Sequence, residues 1–229
     1  MFALDQEKSY SAQIAVTIFR EFNMHLEELF GTYENNIWHE YDDVYIHTLT
    51  VYSELIKAIH FGFITNPQQK DQLHQYLFTE IDNTGFFNLH ALFIATLFHD
   101  FAKPETIQCD QTSNQTCCPD HEIKGAEKFK LLFRRKHERL PKSVRTRIYT
   151  IIQFHTIPHG VFVPKEKQEV ERSIEEFLQS HKAIAIELAL LGYADTKGCQ
   201  LYKLNPTEYQ TRMELYESFF NSLDVTQTR

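Results

Sequence analysis

The sequence predicts an all-α protein, a single helical bundle. Three observations carry this. Apolar residues recur at three- and four-residue spacing through most of the chain, the mark of helices with one buried face. Glycine and proline are scarce, seven of each in 229 residues, which disfavours turn-rich sandwiches and barrels. Aromatic residues are abundant, with 19 Phe and 11 Tyr, enough to fill a sizeable core.

Helices are expected over 10–30, 43–62, 67–80, 88–100, 121–139, 141–156, 168–180, 182–198 and 206–222. The second carries the stripe Val44, Thr48, Val51, Leu55, Ile59. The fourth is apolar almost throughout from Ala91 to Phe98, which places it centrally. Asp120 stands where a side-chain cap would open helix 121–139, and Gly125 and Ala126 would let that helix pack closely. Pro206 suits the first turn of the last helix. Segment 101–120 reads as a long loop of the functional or flexible kind, and 63–87 as a helical insertion between core helices. No strand pattern or internal repeat is evident. The division that follows is an N-terminal helical extension over 1–42, a central domain over 43–198 and a C-terminal helical extension over 199–229.

The net charge of −8 argues against a generic nucleic-acid binder, so RNA is a partner that the charge does not indicate. The average hides an asymmetry. Residues 124–147 hold ten Lys/Arg and two acids, leaving 13 basic and 29 acidic residues elsewhere. That segment is either a solvated helix face or an anion-attracting wall beside a site. Four cysteines with no CxxC pair form neither a disulfide scaffold nor a zinc motif. The polar start, MFALDQEKSY, lacks a signal-peptide core, and the apolar run from Ala91 to Phe98 is too short to cross a bilayer. A cytoplasmic protein with no membrane association is expected.

Twelve histidines are many for this length. The informative polar residues are those that land on apolar stripes. His47 lies four residues before Val51. His99-Asp100 ends the central helix abruptly. The stripe Ile148, Ile151, Ile152 leads to His155, and the stripe Ile184, Leu188, Leu191 leads to Asp195. Taken singly, each has an ordinary reading as a core histidine, a helix-end pair or an ion pair such as Asp195 with Lys197. Taken together they ask for a compensating positive charge, because a carboxylate buried alone is costly. A metal ion supplies that charge, and imidazole plus carboxylate suits Zn, Mn, Fe or Ni.

The order His47, His99-Asp100, His121, His155, Asp195 resembles the HD superfamily of metal-dependent phosphohydrolases. The HD module appended to bacterial tRNA nucleotidyltransferases is the nearest likeness. The resemblance rests on HTLTVYSEL at 47–55, ALFIATLFHDFAKPET at 91–106, HEIKGAEKF at 121–129, IIQFH at 151–155 and LALLGYADTKG at 188–198. It covers about 43–198. The nucleotidyltransferase head is absent, so the chain is expected to be a free-standing HD domain and CCA addition is not implied.

The resemblance implies one or two divalent metal ions (Mn, Fe, Ni, Co, Mg or Zn). His47, His99, Asp100 and Asp195 would form the first site, and His121 and His155 would complete a second through a bridging Asp100. Lys103 would reach a phosphate oxygen, which makes it a catalytic and substrate-binding candidate beside Asp100. His159, set off by Pro158, is assigned a lesser substrate contact. The expected reaction is hydrolysis of a phosphomonoester or phosphodiester, on a nucleotide or related small phosphate ester, by metal-activated water. Two alternatives stand beside it. One is the mixed-valence di-iron oxygenase chemistry of some HD proteins, to which Glu40 could add a ligand, although Glu40 reads first as a solvated acid at a helix start. The other is a non-catalytic nucleotide-binding module. A purely structural helical protein would leave Asp100 and Asp195 unexplained. The remaining histidines (His25, His39, His60, His74, His90, His137, His181) are read as surface or packing residues.

Overall fold

The most apolar segment of the chain sits at the centre of the molecule. In a computed structural model describing residues 2–136 and 140–225, with side chains described over 9–134 and 140–225, helix α4 (Asn88–Phe98) is buried at nearly every position. Around it pack α1 (Phe2–Phe22), α2 (Val44–Ala58), α7 (Lys142–Phe154) and α10 (Ala185–Gly198). The other helices are α3 (Pro67–Leu77), α5 (Lys103–Thr106), α6 (His121–Lys136), α8 (Ile157–Val161), α9 (Lys167–His181), α11 (Leu201–Leu204) and α12 (Pro206–Ser222). The all-α fold class is what the periodicity predicts. The expected helix 121–139 is seen to Lys136, and residues 137–139, with His137, lie outside the described residues.

Two glycines set the closest approaches. A Cβ on Gly198 would lie 2.7 Å from Val51 Cγ2 and 3.1 Å from the Val51 backbone nitrogen, so α10 meets α2 at van der Waals contact. A Cβ on Gly192 would lie 2.5 Å from Tyr216 Oη and 2.7 Å from Pro158 Cβ, which draws α8 and α12 onto α10. Gly125 is different. A Cβ there would make only ordinary 3.7 Å contacts, so α6 does not need glycine to pack.

Several elements depart from the expected helices. The helix expected over 10–30 begins at Phe2 and ends at Phe22, followed by 3₁₀ turns at Asn23–His25 and Glu27–Leu29. Helix 43–62 stops at Ala58, and Phe61 then adopts a left-handed backbone (φ 49°) that a helix cannot continue through. Asp120 is also left-handed (φ 57°), and its carbonyl accepts from Lys124 N (3.0 Å) to open α6, in place of the expected side-chain cap. By contrast Asp43 caps α2, its Oδ1 accepting from Tyr45 N at 2.9 Å and Ile46 N at 3.3 Å.

Two short sheets correct the reading of a strand-free chain. Strand β1 (Tyr33–Glu34) pairs antiparallel with β2 (Asp42–Asp43), and β3 (Gln108–Cys109) with β4 (Thr116–Cys117). Two-residue strands are too short for alternation to show in sequence. The 101–120 segment is thus α5 followed by a hairpin. That hairpin is tied to the β1–β2 strap through Asn35, which donates from its backbone to Thr116 Oγ1 (2.7 Å) and accepts at its carbonyl from Thr116 N (2.7 Å). The strap reaches the polar residues that follow α4 through Glu34, which takes the Lys103 ammonium.

Candidate metal centre

The six expected ligands converge, although they come from five separate regions of the chain. His99 and Asp100 follow α4, His155 follows α7, and Asp195 lies in the last turn of α10. His47 belongs to the first half of α2, and His121 begins α6. His47 Nε2 is 3.0 Å from Asp195 Oδ1 and 3.6 Å from Asp100 Oδ2, and His99 Nε2 is 3.2 Å from that same Asp100 oxygen. The other Asp100 oxygen, Oδ1, faces His121 Nε2 at 3.4 Å and His155 Nε2 at 3.8 Å. Asp100 therefore turns one oxygen to each histidine pair, and all six residues are buried or nearly so.

The hydrogen bonds on the far side of the rings decide what the near side offers. His99 Nδ1 lies 2.7 Å from Thr96 O, His155 Nδ1 2.7 Å from Ile152 O, and His121 Nδ1 2.7 Å from Cys118 O. A carbonyl only accepts, so each Nδ1 donates. The neutral rings then present bare Nε2 lone pairs to the centre. Local structure explains the pattern. His99 and His155 sit just past helix C-termini, where the last carbonyls lack helical donors. Tying the outer ring nitrogen to a carbonyl is the usual way a metal-ligating histidine is oriented.

The electrostatics point the same way. Burial acts to raise the Asp100 carboxyl, but the neighbouring His99 and the Lys103 ammonium hold it well below the ordinary range. Burial likewise opposes ionisation of Asp195, and hydrogen bonds from His159 and His47 outweigh it, so it too stays ionised. Burial together with His121 and His99 pushes His155 well below its ordinary value, which keeps it neutral. Burial pulls His99 down, yet the Asp100 carboxylate lifts it above its usual value. The field at that spot draws positive charge. His99 Nε2 is buried without a hydrogen-bond partner. Among the described residues three groups, His39–Asp42–His47, His47–His99–Asp195 and Asp100–His121–His155, each bring three ligand atoms within 4.8 Å of one another and could hold a metal ion, and the last two meet at Asp100.

Lys103 is buried, not solvated. Its Nζ donates to Glu34 Oε2 (2.6 Å) and lies 2.9 Å from Asp100 Oδ2. Burial works against the ammonium, but Asp100 and Glu34 raise its pKa, so the charge persists. Its partners are thus two carboxylates, and a phosphate would have to take the place of one. His159 is nearer the centre than the intervening Pro158 suggests, because Pro158 falls within the first turn of α8. His159 Nε2 lies 2.9 Å from Asp195 Oδ2, and its ring meets Trp38 edge-on at 4.9 Å.

Three residues missed in sequence complete the surroundings. Glu34, His39 and Asp42 come from the strap, and His39 Nδ1 lies 2.9 Å from Asp42 Oδ2. His39 is buried and packs edge-on against His47, ring centroids 4.7 Å apart, so of its two readings the surface one is excluded. The available signal was the run of ionisable residues His39, Glu40, Asp42 and Asp43 just before the His47 helix. Glu40 itself is exposed, with its backbone N–H on Gln200 Oε1, and is not brought to the centre. Of the other histidines, His90 accepts the Phe87 N–H (3.0 Å) at the start of α4, while His25, His74 and His181 pack on aromatic rings.

Two basic residues of the 124–147 segment are held in ion pairs. Lys128 pairs with Glu28 (2.7 Å) and Glu105 (2.5 Å), and Arg147 pairs with the buried Glu187. Lys130, Arg134, Lys142 and Arg145 line a separate groove of about 420 Å³ between α6 and α7. Arg135, Lys136 and Arg139 have no described side chains. None of the described helices is long and apolar enough to cross a membrane, and all four cysteines are free.

The fold and site define an all-α protein with a buried, two-lobed cluster of histidines and carboxylates around Asp100. No protein-family model matches the chain, and no curated protein matches it.

Proposed function

We propose that this chain is a metal-dependent phosphohydrolase of the HD type, acting on a nucleotide or related phosphate ester in the cytoplasm. One observation carries the reading: three imidazoles give their Nδ1 protons to backbone carbonyls and turn Nε2 toward the two oxygens of one buried carboxylate. That is the chemistry of a ligand set, in which each ring is fixed in one tautomer before the ion arrives.

His47, His99, Asp195 and Asp100 Oδ2 would hold one divalent ion, and Asp100 Oδ1, His121 and His155 a second. Such ions lower the pKa of a water, polarise a phosphoryl oxygen and offset charge on the leaving oxygen. The chain's own residues do the rest. Asp100 spans the two lobes and fixes their separation. Lys103 holds Asp100 in place and keeps a positive charge at the floor of the site. His159, partly exposed and bonded to Asp195, is the side chain best placed to meet a substrate oxygen.

The test combines metal content with turnover. Protein purified without chelator is assayed for Mn, Fe, Ni, Co, Mg and Zn, then for hydrolysis of aryl phosphates, 2′,3′-cyclic nucleotides and nucleoside phosphates. Metal-dependent turnover that His99→Ala and Asp100→Ala abolish is the expected result. Metal-loaded protein inert on all of them rejects it. Two irons per chain with O₂ uptake would move the reading to the di-iron oxygenases.

A further inference from the structure

We propose that Asp42 and Glu34 are positioning residues of this centre, Asp42 acting through His47 and Glu34 through Lys103. The inference deepens the metal-centre reading and rests on it. It starts from an asymmetry among the four histidines. His99, His121 and His155 each have a carbonyl three residues back to receive the Nδ1 proton. His47 lies near the start of α2, where the preceding carbonyls serve the helix, and its Nδ1 is buried without a hydrogen-bond partner. It has to find its orienting acceptor outside its own helix.

Asp42 is placed to be that acceptor. Its Oδ2 lies 4.0 Å from His47 Nδ1, and a shift of about 1 Å would close a hydrogen bond. His47 Nε2 points the other way, toward Asp195 and Asp100. Carboxylate, imidazole and candidate ion position thus lie in sequence, the arrangement that fixes a ligating ring and raises its basicity.

Glu34 is directly opposite Asp42 in the β1–β2 register, and the strap delivers both to one face. His39 stands between them, 2.9 Å from Asp42 Oδ2 and 3.8 Å from Glu34 Oε2. Glu34 takes the Lys103 ammonium at 2.6 Å, while that ammonium is also 2.9 Å from Asp100 Oδ2. Without Glu34, Asp100 would be the sole carboxylate partner left to the Lys103 charge. The ammonium would then compete with a cation for Oδ2. Glu34 offsets it and leaves the Asp100 oxygen available.

The experiment measures Co²⁺ affinity of the full chain by chelator competition, with stoichiometry by elemental analysis and the visible Co²⁺ spectrum recorded at saturation. Asp42→Ala and Glu34→Ala are expected to raise Kd about 10–100-fold with unchanged stoichiometry. Asp42→Asn, which still offers an acceptor oxygen, should recover most of the affinity and the wild-type spectrum. Loss of one equivalent at saturation in Asp42→Ala would make Asp42 a ligand and overturn the proposal. Unchanged Kd in Asp42→Ala, with binding lost in His99→Ala, overturns this proposal alone. Binding intact in His99→Ala as well overturns the centre itself. If the alanine variants do not fold, Glu34→Gln and Asp42→Leu, which fills the space without offering an acceptor, carry the test, and an unchanged Kd in Asp42→Leu overturns the proposal. A raised Kd in Glu34→Gln then supports the proposal, and an unchanged one overturns it.

Discussion

His121 Nε2 and His155 Nε2 lie 3.3 Å apart, and both rings have given their Nδ1 protons to backbone carbonyls. In their neutral forms the two lone pairs face each other beside Asp100 Oδ1. A cation relieves that arrangement, and the same holds for His99 Nε2 against Asp100 Oδ2.

Metal removal should therefore destabilise the fold. An ion that binds only the native state at 100 times its Kd adds about 2.7 kcal/mol. For a chain of this size that corresponds to a Tm lower by about 5–11 °C after chelation. Thermal melts with EDTA and then with excess Mn²⁺ measure it, and identical curves would reject a bound ion.

The two lobes should separate by mutation. His121→Ala and His155→Ala are expected to remove one metal equivalent, and His47→Ala and Asp195→Asn the other. Asp100→Asn should weaken both, because its two oxygens face different lobes. Elemental analysis of each variant decides the matter. Equal loss from all five would mean one site.

Arg147 should matter for stability rather than turnover. It donates to Glu187 Oε1 through Nε (2.7 Å) and to Tyr76 Oη (2.8 Å), and Glu187 is fully buried. Arg147→Ala leaves that buried carboxylate without its cation, with the Tyr76 hydroxyl as its remaining donor, and should cost about 3–5 kcal/mol. Urea melts measure it, and a loss under 1 kcal/mol would show that Glu187 finds another partner.

Helix spacing gives a further test. Gly192→Ala presses a methyl group against Pro158 Cβ and Tyr216 Oη, which should cost about 1–3 kcal/mol. Gly62→Ala meets nothing within 4 Å and should leave Tm close to that of the wild type. Comparable losses in both would discount the close approach.

Thiol chemistry reports on the covered end of the bundle. Burial and the Glu34 carboxylate push the Cys118 thiol up to about 12, and burial does the same to Cys199. A higher pKa means less thiolate at neutral pH, so both should alkylate slowly near pH 8 and faster as pH rises. Exposed Cys109 and Cys117 should label first. Removing the carboxylate in Glu34→Gln should lower the Cys118 pKa and speed its labelling, read by mass spectrometry.

The sequence by itself determined the helical class and the candidate ligands. Both are periodic properties: a residue three or four positions from an apolar neighbour shares its face, so His47, His155 and Asp195 could be read as inward-facing from local spacing alone. What only the tertiary structure decided is what those residues meet. Glu34 and Lys103 are 69 positions apart and make a 2.6 Å ion pair, a contact no local period encodes. The strap that carries Glu34, His39 and Asp42 is held by two-residue strands and by Asn35 bonded to the distant Thr116, so its path over the site depends on long-range hydrogen bonds. Lys103, expected to reach a phosphate oxygen, is buried against two carboxylates, because burial depends on which chain segment lies above it. Helix phase is local and survives in the sequence. Burial of a polar residue and the identity of its partner belong to the packed molecule.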